Sequence, residues 1–152
     1  MKSTMLLSLL KIKSTYGEFP DNVTDITTNS KEAHKDSVFV AIKGHQTDGS
    51  LFIGDAVKRG CRFIIADKFV ELPENIGLLV VKNPAKTAAF FAEYIYDFPH
   101  ESQTMIGVTG TNGKTTVSTM IHNLSMALGK KSAYLGTNGF MINDMHVVSE
   151  NT

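Results

Sequence analysis

Gly107-Val108-Thr109-Gly110-Thr111-Asn112-Gly113-Lys114-Thr115-Thr116 is the stretch that decides how this chain reads. The apolar pair Met105-Ile106 precedes it. Val117, Met120, Ile121, Leu124, Ala127 and Leu128 follow at helical spacing, and Gly129 ends the run. The pattern predicts a strand over 105–109, a glycine-rich loop and a helix, the context in which a loop cradles phosphate. Glycines let successive backbone N–H groups turn into one concavity. The helix N-terminus beyond adds partial positive charge. Lys114 supplies a cation for β- and γ-phosphate oxygens, and the Thr115 hydroxyl is a hard ligand suited to Mg²⁺. The loop departs from the common form at Val108, where a glycine usually stands five residues before the Gly-Lys pair.

Downstream, Ser132-Ala133-Tyr134-Leu135-Gly136 reads as a second strand. Strand, loop, helix and strand together predict a parallel sheet with a right-handed crossover. Phe140-Met141-Ile142 and Met145-His146-Val147-Val148 flank Asn143-Asp144 and predict a hairpin.

Upstream, the chain alternates strands and helices. A short amphipathic helix is expected over 3–10 and a β-branched strand over 23–27. A buried strand is expected over 37–42, followed by the polar loop 45–49. Phe52, Ile53, Ala56 and Val57 share a helix face that stops at Gly60. Strands follow over 62–66 and 77–81. Asn83 and Pro84 suit the cap and first position of a helix that presents Ala88, Phe91, Ala92 and Ile95 inward. The fold class is α/β. Residues 1–98 are expected to form a small complete domain, 99–104 a linker, and 105–152 an incomplete domain with a phosphate-binding loop on a P-loop-type parallel sheet.

The chain has 152 residues, with 15 Lys+Arg against 15 Asp+Glu, and is 42% hydrophobic and 20% charged. Balanced charge gives no general attraction to nucleic acid or an anionic membrane. No apolar run reaches the roughly 18–20 residues of a membrane span. Lys11 and Lys13 interrupt the N-terminal apolar run, which therefore does not read as a signal peptide. A single cysteine, Cys61, needs no oxidising compartment and reads as a packed small hydrophobe. The expected location is cytoplasmic. The five histidines show no metal-ligand spacing, and His122 reads as a surface residue of its helix. Phe90, Phe91, Tyr94 and Tyr96 read as core.

Gly110 to Thr115, after a Val-Thr strand end, resembles the ATP loop of the Mur ligases and of folylpolyglutamate synthase, both ATP-dependent amide-forming ligases. Thr24-Asp25-Ile26-Thr27-Thr28-Asn29-Ser30-Lys31, Asp36-Ser37-Val38-Phe39-Val40-Ala41 and Gly44-His45-Gln46-Thr47-Asp48-Gly49 resemble a uridine-nucleotide domain. It is that of the UDP-N-acetylmuramoyl-tripeptide synthetases within the Mur family. Tyr134 to Gly139 and the terminal Glu150-Asn151-Thr152 also fit. Where the family reads Asp-Ser-Arg, this chain reads Asn29-Ser30-Lys31 and retains the serine.

The resemblance implies a ligase of peptidoglycan precursor synthesis. ATP would activate the terminal carboxylate of UDP-N-acetylmuramoyl-L-alanyl-D-glutamate as an acyl phosphate. The amine of L-lysine or meso-diaminopimelate would then attack it. By the same resemblance, Gly110, Thr111, Asn112, Gly113, Lys114, Thr115 and Thr116 hold ATP. Lys114 serves catalysis and Thr115 binds Mg²⁺. Ser30, with Thr28, His45, Gln46 and Thr47, contacts the uridine end, and Asn151 and Thr152 begin a segment on the muramoyl peptide. The partners implied are small molecules, and the protein is expected to be monomeric, without nucleic acid or membrane. The family has three domains, so the resemblance implies an N-terminal fragment that is inactive alone. Another Mur-type or folylpolyglutamate-type ligase, and a non-catalytic nucleotide-binding module, remain as alternatives.

Overall fold

The computed structural model describes residues 1–8, 14–44 and 47–147. The chain divides into two compact units, Met1–Gln103 and Thr104–Thr152.

The first unit is a five-stranded sheet in the order β1-β5-β4-β3-β2. Its strands are β1 (Ser14–Tyr16), β2 (Asp25–Thr27), β3 (Ser37–Val40), β4 (Phe63–Ala66) and β5 (Gly77–Val80). Strands β2 to β5 pair in parallel, and β1 joins β5 antiparallel. β3 and β4 are buried along their whole length, as their continuous apolar runs require of strands covered on both faces. β1 was not expected. Its Ser-Thr-Tyr sequence has no apolar period, and pairing with β5 alone defines it.

Successive side chains of the central strands serve opposite cores. Phe39, Ile64 and Leu78 pack with Ala33, Ile53, Ala56 and Cys61 on one face. Ile53 and Ala56 belong to α2 (Ile53–Lys58). Val38, Val40, Phe63, Ile65 and Leu79 pack on the other face with Leu6 of α1 (Ser3–Ser8) and Phe91 of α3 (Pro84–Ile95). Phe63 lies edge-on to Phe19 at 4.7 Å and to Phe91 at 6.1 Å, so aromatic contacts run through this core. α3 begins as its sequence predicts. The Asn83 side chain accepts the Lys86 N–H at 2.9 Å, and Pro84 occupies the first turn. Cys61 is fully buried. Pro99–Ser102, within the stretch expected as linker, forms a 3-10 turn and belongs to the first unit.

The second unit holds α4 (Lys114–Ala127) and a three-stranded antiparallel sheet of β6 (Ala133–Gly136), β7 (Gly139–Ile142) and β8 (Met145–Val147). Two-residue turns at Thr137-Asn138 and Asn143-Asp144 join the strands. The second turn is the expected hairpin; the pairing of β6 with β7 was not foreseen. Residues 105–109, expected as a strand, join no ladder, and Met105 and Ile106 are 76% and 61% exposed. A parallel strand requires a neighbour to hydrogen-bond with. Among the described residues of this unit all strand pairing is antiparallel.

Candidate functional site

The glycine-rich loop leads into a helix as expected, but α4 begins at Lys114 and takes in Thr115 and Thr116, which the sequence reading assigned to the loop. Gly110 and Gly113 take φ of 148° and 76°, backbone that side chains with a Cβ rarely adopt. Gly113 is the residue from which α4 springs, and its carbonyl accepts the Val117 N–H at 2.9 Å. No side chain caps the helix, so its leading N–H groups are left for an external acceptor. The 14-residue helix adds its dipole at that end.

Lys114 folds back over the loop, where its ammonium donates to the carbonyls of Gly110 and of Thr111, the latter at 3.3 Å. The Thr115 hydroxyl lies 3.2 Å from that of Thr137 in the β6–β7 turn. Thr111, Asn112 and Thr116 are exposed around the loop. An ammonium, uncapped N–H groups and hydroxyls gathered around one exposed loop are the kinds of group that a polyphosphate and a hard cation would need.

His122 corrects the sequence reading. It is 3% exposed, not a surface residue. Its Nδ1 lies 3.0 Å from the Ser132 hydroxyl and its Nε2 lies 3.2 Å from the Asn143 carbonyl. Sequence reasoning missed both His122 and Thr137. The available signal was the spacing of Thr115 and His122, seven residues apart and so on one helix stripe.

In the first unit, Ser30 is buried in the 3-10 turn Ser30–Glu32, and its hydroxyl donates to Asp55 at 2.8 Å. That hydroxyl, followed by Arg59 at 3.5 Å, holds the Asp55 carboxyl below its ordinary range. Asn29 caps the same turn by accepting the Lys31 N–H at 3.1 Å. Thr28 lines a cleft of about 410 Å³ with Ile26, Thr27, Glu32 and the α3 alanines 88, 89 and 92. Beside it, Asp25 accepts the Tyr96 hydroxyl and the Ile26 N–H at 2.7 Å, and His34 stands 3.5 Å away. Partial burial disfavours the Asp25 anion, but these contacts outweigh it and lower its pKa. The same hydrogen bond raises that of Tyr96. Thr47 is exposed and lies outside this cleft. His45, Gln46, Asn151 and Thr152 lie outside the described residues. Among the described residues no cluster of three His, Cys, Asp or Glu side chains is placed to hold a metal, and no helix is long and apolar enough to cross a membrane.

Residues 22–97 match the family model described as "Mur ligase family, catalytic domain", and residues 108–152 match the "Mur ligase middle domain". The chain is 41% identical over 152 residues to the UDP-N-acetylmuramoyl-L-alanyl-D-glutamate--L-lysine ligase of Staphylococcus haemolyticus. It is 39% identical over the same length to that of Staphylococcus aureus strain COL. In each case all of the chain matches 31% of the relative, so it spans about a third of their length. Among solved structures, it is similar to the MurF ligase of Thermotoga maritima in complex with ADP. That similarity has 34% identity and a TM-score of 0.57, over 72% of this chain and 24% of that one. A UDP-N-acetylmuramoyl-L-alanyl-D-glutamate--2,6-diaminopimelate ligase shares the fold at 18% identity and a TM-score of 0.66, over 96% of this chain and 29% of that one.

Proposed function

The chain belongs to the Mur ligase family, and we propose that it carries the substrate-nucleotide domain and the phosphate loop of an ATP-dependent ligase acting on UDP-N-acetylmuramoyl-L-alanyl-D-glutamate. The amino acid added is a diamino acid. L-lysine is favoured because relatives 39% and 41% identical to the whole chain carry it in their names. The observation that carries the proposal is the uncapped start of α4, where Lys114, Thr115 and the Gly113 turn converge.

A carboxylate is a poor electrophile, and ATP supplies the phosphoryl group that gives it a leaving group. The chain's own contribution is positioning and charge neutralisation. The loop N–H groups orient phosphate oxygens, and Lys114 exchanges its loop carbonyls for them. Thr115 would hold Mg²⁺, which neutralises phosphate charge. Ser30 and Thr28, with His45, Gln46 and Thr47, would face the uridine end, and Asn151 and Thr152 the muramoyl peptide. Because the Ser30 hydroxyl already donates to Asp55, a ligand would meet its lone pairs. Residues 1–98 and 105–152 would be the two domains. The reading includes a monomeric, cytoplasmic, nucleotide-binding protein. A single buried cysteine that needs no disulfide supports the compartment.

Calorimetric titration of the chain with ADP, with and without Mg²⁺, tests the reading. Lys114→Ala should weaken binding by about tenfold or more. Thr115→Ala should remove the gain from Mg²⁺. Unchanged affinity in Lys114→Ala would refute the assignment of the loop.

A further inference from the structure

We propose that His122 is a positioning residue for the phosphate loop: through Ser132 and Asn143 it fixes the roll of α4, and thereby the aim of Lys114 and Thr115. The proposal rests on the phosphate-site reading above.

Among the described residues of the second unit, Tyr134 and His122 are the buried side chains. The apolar side of α4 does not hold the helix in this unit. Val117, Met120, Leu124 and Leu128 are 46%, 65%, 62% and 67% exposed. The opposite side faces the antiparallel sheet through polar contacts. Thr115 meets Thr137 in the β6–β7 turn, and His122 meets Ser132 and Asn143. Seven residues make nearly two turns, so the two ties lie within about 20° of each other and about 10 Å apart along the axis. Two ties on one stripe set rotation as well as distance. The first is an exposed pair of hydroxyls; the second centres on the buried His122 ring and closes a partly buried network.

That network specifies its own protons. A backbone carbonyl only accepts, so Nε2 of His122 carries the hydrogen and donates to Asn143. In the neutral ring Nδ1 is then the acceptor for the Ser132 hydroxyl. Asn143 closes the ring of contacts. Its N–H donates to the Ser132 carbonyl at 2.8 Å and its Oδ1 accepts the Ser132 N–H at 3.1 Å. It does so at φ 50°, a backbone region in which asparagine is enriched. Both nitrogens of the buried His122 ring thus have partners, and a residue of similar size without them would leave the Ser132 hydroxyl and the Asn143 carbonyl without these partners.

The test uses the full chain, with ADP and Mg²⁺ as probe. His122→Phe should weaken ADP binding about tenfold while retaining the fold, because a small misplacement of a binding loop is costly. Ser132→Ala, which deletes one hydroxyl, should weaken it by about fivefold. His122→Gln keeps a terminal N–H donor and should recover most of the affinity. Long-range proton–nitrogen NMR of the free protein should place the ring hydrogen on Nε2, with only the Nδ1 signal moving in Ser132→Ala. ADP binding lost in Lys114→Ala but kept in both His122→Phe and Ser132→Ala overturns the proposal and leaves the loop assignment standing. A ring hydrogen on Nδ1 also overturns it. If the wild-type chain does not bind ADP, the phosphate-site reading fails and this proposal fails with it. If His122→Phe unfolds, the Ser132→Ala affinity decides.

Discussion

Gly113 offers a clean separation of backbone strain from steric crowding. It stands at φ 76° with no atom within 4 Å of where a Cβ would be. Replacing it with alanine therefore creates no clash within the protein. The cost is the left-handed backbone alone, about 1–2 kcal/mol for an L-residue. If nucleotide binding requires the loop in this conformation, the same energy appears as a loss of ADP affinity of about 5- to 30-fold. Asparagine tolerates this region better, so Gly113→Asn should lose no more than about threefold. Both variants carry a Cβ and differ chiefly in tolerance of positive φ. Titration calorimetry in the presence of Mg²⁺ measures the affinities, and circular dichroism checks that the helix is retained. Equal losses in the two variants would mean that the Cβ meets the ligand, and the strain argument would be refuted. No loss in Gly113→Ala would mean that the bound loop abandons this conformation.

Three further outcomes test the first unit. A Cβ on Gly77 would fall 2.4 Å from the Phe19 ring, so Gly77→Ala should cost about 1–3 kcal/mol in urea unfolding; the cost should vanish in a Phe19→Ala background, and additivity would show that the ring is not the obstacle. Asn83→Ala removes the cap of α3 and should cost about 1 kcal/mol in the same assay, with Asn83→Asp close to wild type. The Asp48 carboxyl is held down from 3.8 to about 2, first by the Ser50 N–H and then by Lys68. A depressed folded-state pKa contributes stability above the unfolded value that is lost as pH falls. Asp48→Asn should therefore flatten the stability profile between about pH 4 and pH 2, and an unchanged acid limb would count against the contact.

Much of this was legible because local chemistry and tertiary need coincide. The apolar runs of β3, β4 and β5 can be satisfied only inside a covered parallel sheet. Asn83-Pro84 specifies a helix start through its own hydrogen bond. Gly113-Lys114 marks the start of α4 for the same kind of local reason. The misreadings arose where a partner decides. Ser14–Tyr16 has no strand period of its own and is a strand because β5 offers a free edge. Residues 105–109 have the composition of a strand but join no ladder among the described residues. The β6–β7 turn carries a local signal in Gly139, which follows the two turn residues at φ 100°. His122 was invisible for a different reason. Its burial follows from Ser132 and Asn143, which chain folding brings to it from ten and twenty-one residues away.

The order β1-β5-β4-β3-β2 has a further consequence for recognition. From β2 to β5 each new parallel strand is added on the same side, so the winding never reverses. Doubly wound sheets bind nucleotides in the crevice opened where strand order reverses, at a topological switch point. The parallel run of this unit has none. A nucleotide bound at the strand ends of this unit would meet loops at the carboxyl ends of adjacent strands rather than a gap in the sheet. Thr28 and Ser30 follow β2, and Thr47 follows its neighbour β3. The loops after β2 and β3 can therefore change without disturbing the strand order that supports them.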